Sequence, residues 1–188
     1  MKSTIVICST NENSFSRSVM EAVGKGLDKK LKAYELIDLY DDNFNPIMTA
    51  EGEKLYCEGK PSDELVVKYQ EILNDTDEII FIFPIWWNNV PAMLKGFFDK
   101  VFIKDFAFTE EDNIPKGLLT NIKSGLLITT SETNTDYMKN ELGNPIENTI
   151  IRGTLEVAGM SNIEWINANL ENEDKKSFLE KVEEYLNR

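Results

Sequence analysis

Apolar residues along this chain fall into two alternating regimes, short unbroken runs and longer stretches in which they recur every three or four positions. Residues 4–8 form an unbroken, β-branched run ending in polar residues, which predicts a strand buried on both faces. From Ser14 the spacing turns helical, with Phe15, Val19, Ala22, Val23 and Leu27 on one side behind a serine-rich start suited to an N-cap. Residues 33–38 read as a second strand. Residues 39–61 are a long polar connection holding Asn43, Pro46, Gly52 and Gly59, too long for a simple turn. Ser62 is expected to cap a helix carrying Leu65, Val66, Tyr69, Ile72 and Leu73, and residues 79–83 then give the strongest strand signal of the chain. Pro91 opens a helix through Phe102, after which 124–130, 144–158, 162–166 and 171–186 read as strand, helix, strand and helix. Five apolar strands alternating with helices predict a parallel sheet covered on both faces, and right-handed crossovers make it doubly wound. Without repeats or a linker, residues 1–188 are expected to form a single α/β domain.

Charge narrows the partners. Thirty-three Asp and Glu against twenty Lys and Arg leave a net charge of −13, which repels nucleic-acid phosphates and anionic lipid surfaces and leaves small molecules as the expected ligands. No apolar run approaches the roughly 20 residues needed to span a bilayer, so membrane insertion is not expected. The opening apolar stretch is too short for a secretion signal, and Cys8 and Cys57 lie far apart without zinc-ligand spacing, which suits a cytoplasmic, reducing environment. Histidine is absent. With it go the commonest metal ligand and the commonest general base, so no metal site is expected and chemistry falls to hydroxyls, carboxylates, backbone groups or a cofactor.

In a doubly wound sheet, ligands collect beyond the carboxyl ends of the strands. Three such segments stand out. After the first strand, Ser9, Asn13, Ser14 and Ser16 feed a helix N-terminus that can cradle a phosphate, although plain helix capping explains the cluster equally well. Neither a GxGxxG fingerprint nor a Walker lysine accompanies it. After the third strand, Pro84, Ile85, Trp86, Trp87 and Asn88 place two adjacent tryptophans in a loop stiffened by prolines. One such tryptophan would be read as a plug for the core edge, whereas a pair points to a planar ligand. After the fourth strand, Thr129, Thr130 and Ser131 begin a hydroxyl-rich run that ends at Tyr137, a candidate proton donor. Hydroxyls for a phosphate, aromatics for a flat ring and polar groups for its heteroatoms together describe a flavin nucleotide.

The stretch FPIWWNNVPAMLKGFFDKVF at 83–102, with DLYDDNFNPI at 38–47 before it and Phe106, Ala107 and Phe108 after it, resembles the NAD(P)H:quinone oxidoreductases of DT-diaphorase and modulator-of-drug-activity type. That resemblance covers nearly the whole chain. It implies a flavodoxin-like fold of strand order 2-1-3-4-5, a homodimer with active sites at the subunit interface, and hydride transfer from NAD(P)H through a bound flavin to a quinone-like, azo or nitroaromatic acceptor. It implies the flavin phosphate at Asn13, Ser14, Phe15 and Ser16, the ring against residues 84–88 with Trp87 as its wall, and Thr129 and Thr130 as the family's threonine pair. The similarity around NFNPI and Ser14-Phe15 favours FAD, while the row of serines suits FMN equally well. Three positions depart from the family. Ser9 stands where many relatives have a histidine, Ser131-Glu132 replace two glycines, and Gly143 stands near the place of a second, catalytic histidine. A carboxylate beside the ring would oppose its anionic reduced form, so Glu132 is expected to point away. Hydride chemistry separates this reading from a non-enzymatic flavodoxin-type carrier or a regulatory flavoprotein subunit, since only the enzyme would be bleached by NADH or NADPH alone.

Overall fold

A computed structural model describes residues 1–112 and 114–186. Its strands are β1 (Ser3–Ile7), β2 (Tyr34–Asp38), β3 (Glu78–Pro84), β4 (Phe108–Glu111), β5 (Ile114–Gly117), β6 (Ser124–Ser131) and β7 (Ile163–Asn169). Five of them form one sheet of order β2-β1-β3-β6-β7, all parallel, which is the expected 2-1-3-4-5 arrangement with an antiparallel β4-β5 hairpin inserted. Residues alternate across the sheet and divide the core in two. Val6, Phe81, Phe83 and Leu127 face α3 (Glu64–Asn74), α4 (Ala92–Val101) and a π-helix (Ile146–Leu155). Ile5, Ile7, Ile80, Ile82 and Ile128 face α1 (Phe15–Lys29) and α6 (Lys175–Leu186), where Val19, Val23 and Phe178 meet them. Phe97, fully buried on α4, sits amid Phe44, Tyr69, Phe81, Phe98 and Phe102 with ring centroids 5.7–6.4 Å away, so its truncation to alanine would cost about 3–5 kcal/mol.

The expected elements are present, with five local differences. Residues 39–61 contain α2 (Ala50–Cys57), whose cap Thr49 accepts the Gly52 N–H at 3.0 Å. Asp63 rather than Ser62 caps α3, its Oδ1 accepting from the Val66 N–H at 3.0 Å, because the helix begins one residue later than expected and Asp63 directly precedes it. The β4-β5 hairpin was unexpected, since Pro115 and acidic residues mask its alternation. The helix expected at 144–158 is wound as a π-helix over Ile146–Leu155, with i→i+5 bonding continuing at Glu156 N–H to the Ile151 carbonyl, 2.9 Å. Residues 171–174 do not join the last helix. Asn169 Oδ1 accepts from the Glu171 and Asn172 N–H groups, holding that segment in a turn, and α6 starts only after Asp174 offers its carboxylate to the Ser177 N–H.

Two glycines seat the hairpin. A Cβ at Gly117 would lie 2.2 Å from the Gly159 nitrogen, so the base of β5 meets the end of the π-helix segment backbone to backbone, with Gly159 at φ +101°. Among the described residues no helix is long and apolar enough to cross a membrane.

Candidate active site

All three hydroxyl- and aromatic-rich segments emerge at the carboxyl edge of the parallel sheet. Between the segments after β3 and β6 lies an open cleft of about 490 Å³. Pro84, Ile85, Trp86 and Trp87 form one wall, and Thr130, Ser131, Glu132 and Thr133 with Leu170 form the other.

The tryptophan wall is a two-residue turn. Trp86 and Asn89 exchange both backbone hydrogen bonds at 3.0 Å, and the residues between them, Trp87 and Asn88, have φ of +49° and +61°. Left-handed backbone at both central positions belongs to type I′ turns, which favour Asn and Gly; a bulky tryptophan there is strained by about 1–3 kcal/mol. Trp87 is 101% exposed and Trp86 47% exposed, so neither ring plugs the core. Ile85 donates its N–H to the Thr130 carbonyl at 2.8 Å, binding the two walls at their base. The N–H groups of Ile85 and Trp86 are thereby engaged within the protein, while those of Trp87 and Asn88 have no protein acceptor among the described residues. Asn88 Nδ2 reaches the Leu142 carbonyl at 3.4 Å, and its buried Oδ1 has no partner.

Behind the opposite wall stands a polar ladder of Trp165, Asn167 and Asn169, alternate residues of β7. Trp165 Nε1 donates to Thr129 Oγ1 at 2.8 Å, and that hydroxyl donates on to Asn167 Oδ1 at 2.7 Å. Asn167 Nδ2 donates to Ser131 Oγ at 2.9 Å and Thr135 Oγ1 at 3.0 Å, while Asn169 Nδ2 donates to the Glu132 carbonyl at 3.1 Å. Thr129 is therefore a strut behind the wall, and Thr130 faces the cleft. Sequence reading missed Asn167 and Asn169. Their signal was two asparagines ending an apolar strand, where only hydrogen-bonding work justifies burial.

The β1–α1 segment lies one strand over. Ser14 caps α1, its Oγ accepting from the Arg17 N–H at 3.3 Å, and Ser9 Oγ lies 2.7 Å from Ser14 Oγ. Asn13 is exposed, Ser16 is buried, and Phe15 packs 5.9 Å from the Phe178 ring. The first-turn N–H groups of α1 are the helix-end donors an anion uses. Arg17, which sequence reading passed over, is buried: its guanidinium pairs with Asp38, reaches Asp41 Oδ1 at 3.4 Å and donates to the Ser9 carbonyl at 3.3 Å. It ties the ends of β1 and β2 together beneath this loop. Beside it, burial pushes the Cys8 thiol up to about 12.

Two expectations change. Glu132, expected to turn from the ring, is nevertheless a residue of the cleft lining, and Asn169 holds its carbonyl at 3.1 Å. Tyr137, on α5 (Thr135–Asn140) behind the Asn134 cap, is 53% exposed and is not among the cleft's lining residues.

A profile of the flavodoxin-like fold matches residues 1–188. The chain belongs to the flavodoxin-like family. A solved NAD(P)H:quinone oxidoreductase from Methanothermobacter marburgensis is 26% identical and superposes at a TM-score of 0.87, over 99% of this chain and 97% of that one. A Streptococcus mutans UA159 protein, Smu.1420, is 27% identical at a TM-score of 0.83, over 99% and 98%. The rat (Rattus norvegicus) NAD(P)H dehydrogenase [quinone] 1 is 33% identical over 155 residues, 72% of this chain and 56% of that protein. The chain thus spans little more than half the length of that curated relative.

The site suits a flat, phosphate-bearing cofactor. Its volume lies within the about 300–1,000 Å³ of small-molecule sites, exposed rings flank it, and the unengaged N–H of Trp87 belongs to its lining, while Asn88 lies outside that lining.

Proposed function

We propose that this protein is a flavin-dependent oxidoreductase that takes hydride from NAD(P)H and delivers it to a quinone-like, azo or nitroaromatic acceptor. The observation that carries this reading is the cleft at the sheet's carboxyl edge, walled by two exposed tryptophan rings and a rigid hydroxyl-bearing loop, in a chain related to NAD(P)H:quinone oxidoreductases. The flavin supplies the redox chemistry, accepting hydride from the nicotinamide and returning it to the acceptor. The chain supplies position. Ser9, Asn13, Ser14, Phe15 and Ser16 hold the phosphate end at the α1 N-terminus, where N–H groups and the helix dipole favour an anion. Pro84, Ile85, Trp86, Trp87 and Asn88 cover the ring, with the N–H groups of Trp87 and Asn88 as donors to its heteroatoms. Thr130 and Ser131 line its other side, braced by Thr129. FAD is the cofactor in this reading, with FMN the alternative. One cleft admits donor and acceptor in turn, which makes the order ping-pong.

Without histidine, the acceptor's proton comes from water or from Tyr137. The homodimer belongs to the same proposal. An apolar hollow of about 500 Å³ lies on the neighbouring face, between Tyr56 of α2, Phe98 of α4 and Phe102 just after it, Phe108 and the π-helix, and Asn89 joins it to the tryptophan turn. A second copy seated there would complete the open cleft. The unpaired cysteines Cys8 and Cys57 fit a cytoplasmic setting.

Absorption spectra and mass of the small molecule released from purified protein test the cofactor, and anaerobic mixing with NADH or NADPH tests the enzyme. Bleaching of the flavin without a separate reductase is expected; a preparation that stays oxidised is a carrier, and one that refuses flavin is neither. Tyr137→Phe with unchanged acceptor turnover would leave water as the proton source.

A further inference from the structure

Glu132 is the one ionisable side chain among the described residues that line the cleft. Its carboxylate has no ion-pair partner among the described residues. Its backbone cannot swing aside. On one flank Asn169 Nδ2 holds the Glu132 carbonyl at 3.1 Å, and Leu170 N–H donates to the Ser131 carbonyl at 2.8 Å. On the other, Ser131 Oγ donates to the Thr133 carbonyl at 2.7 Å and is itself held by the buried Asn167. A single uncompensated negative charge is therefore built into an otherwise neutral cleft, on a loop anchored from behind.

We propose that Glu132 sets the charge class of acceptor this cleft takes, selecting uncharged and cationic planar aromatics against anionic ones such as sulfonated quinones and dyes. The inference rests on the oxidoreductase reading. A flat ring between the two walls brings its substituents within several ångströms of the carboxylate, where an effective dielectric between water and protein interior leaves a like charge disfavoured and an opposite charge favoured. The net charge of −13 adds a longer-range field of the same sign. Because Glu132 is exposed, the effect is modest and screened by salt, which gives it a signature that packing lacks.

The test compares three anthraquinones of one shape, bearing a hydroxymethyl, a sulfonate or a trimethylammoniomethyl substituent. Their dissociation constants are measured by calorimetry on the oxidised, flavin-loaded protein without nicotinamide, at low and high ionic strength. Wild-type protein is expected to bind the sulfonate about 3- to 10-fold more weakly than the neutral compound and the ammonium compound correspondingly more tightly, with the spread shrinking at high salt. Glu132→Gln, which keeps size and polarity, is expected to collapse most of the spread, read as the ratios among the three dissociation constants. Equal binding of all three by wild type, a spread indifferent to salt, or a spread retained in Glu132→Gln would overturn the inference. Should Glu132→Gln misfold, Glu132→Ala is read in the same way, against a surface control, Glu12→Gln, which lowers the net negative charge equally and is expected to keep the spread. Flavin-loaded protein that reduces the neutral quinone yet shows no charge preference refutes only this inference, whereas protein that takes up no flavin refutes the oxidoreductase reading and the inference with it.

Discussion

On the β6 side of the cleft, Ser131, Glu132 and Thr135 are tied through buried asparagines to β7, while the 86–89 turn opposite is closed by two hydrogen bonds of its own and leaves Trp87 wholly in solvent. Both segments follow central strands of the same sheet, so their difference owes nothing to the scaffold. One wall gains its position from satisfied polar groups in the interior. The other holds Trp87 in a conformation that costs free energy and returns that ring no packing within the chain. A strained, exposed, aromatic turn facing a rigid polar one is what a site needs when one side must keep its geometry and the other must close over something flat.

The largest expected effect lies beneath the β1–α1 loop, one strand over from both walls, at Arg17→Leu. It strands the buried Asp38 carboxylate without its guanidinium, and unfolding in urea should show a loss of about 3–5 kcal/mol, much of it recovered when Asp38 is also made apolar. Asn167→Ala comes next. It leaves the Thr129, Ser131 and Thr135 hydroxyls short of a partner, and the same measurement should register about 2–3 kcal/mol. Cys8 sharpens the comparison through pH. Burial pushes its thiol up to about 12 in the folded chain against an ordinary 9.0, so between those values the unfolded chain has lost a proton that the folded chain keeps. Stability must then fall as pH rises through that window, by up to about 1.4 kcal/mol per pH unit from this group, and Cys8→Ala should flatten that part of the alkaline denaturation curve. Burial and the Asp42 carboxylate push Tyr69 up in the same sense, so some alkaline decline persists in the variant. The smallest effect on stability belongs to the free-standing turn. Trp87→Gly relieves the left-handed backbone and should leave the melting temperature unchanged or raise stability by up to about 1 kcal/mol, while flavin affinity measured by fluorescence falls. A large loss of stability there would show that Trp87 is structural after all.

Much of this was legible in the sequence because it is local. Unbroken apolar runs gave β1, β3 and β6, helical spacing gave α1 and α3, and the Trp86-Trp87 pair announced itself by size and position. What stayed hidden depends on residues distant in the chain. Arg17 and Asp38 are 21 positions apart, and Thr129 and Asn167 38 apart, so their pairing exists only once β1 lies beside β2 and β6 beside β7. The short helix α2 left only its Thr49 cap and the acidic Glu51 and Glu53 as traces. The π-helix reads as an ordinary amphipathic helix because ten residues are too few to separate its wider period. Glu132 adds a constraint of the same kind: its backbone carbonyl is held by Asn169, a residue of the neighbouring strand 37 positions away.

The glycine seat under the hairpin offers an independent handle on the face beside the cleft. A single methyl group at Gly117 would act as a wedge against Gly159, levering Phe108 and its strand outward and reshaping the apolar hollow without altering any residue that lines it.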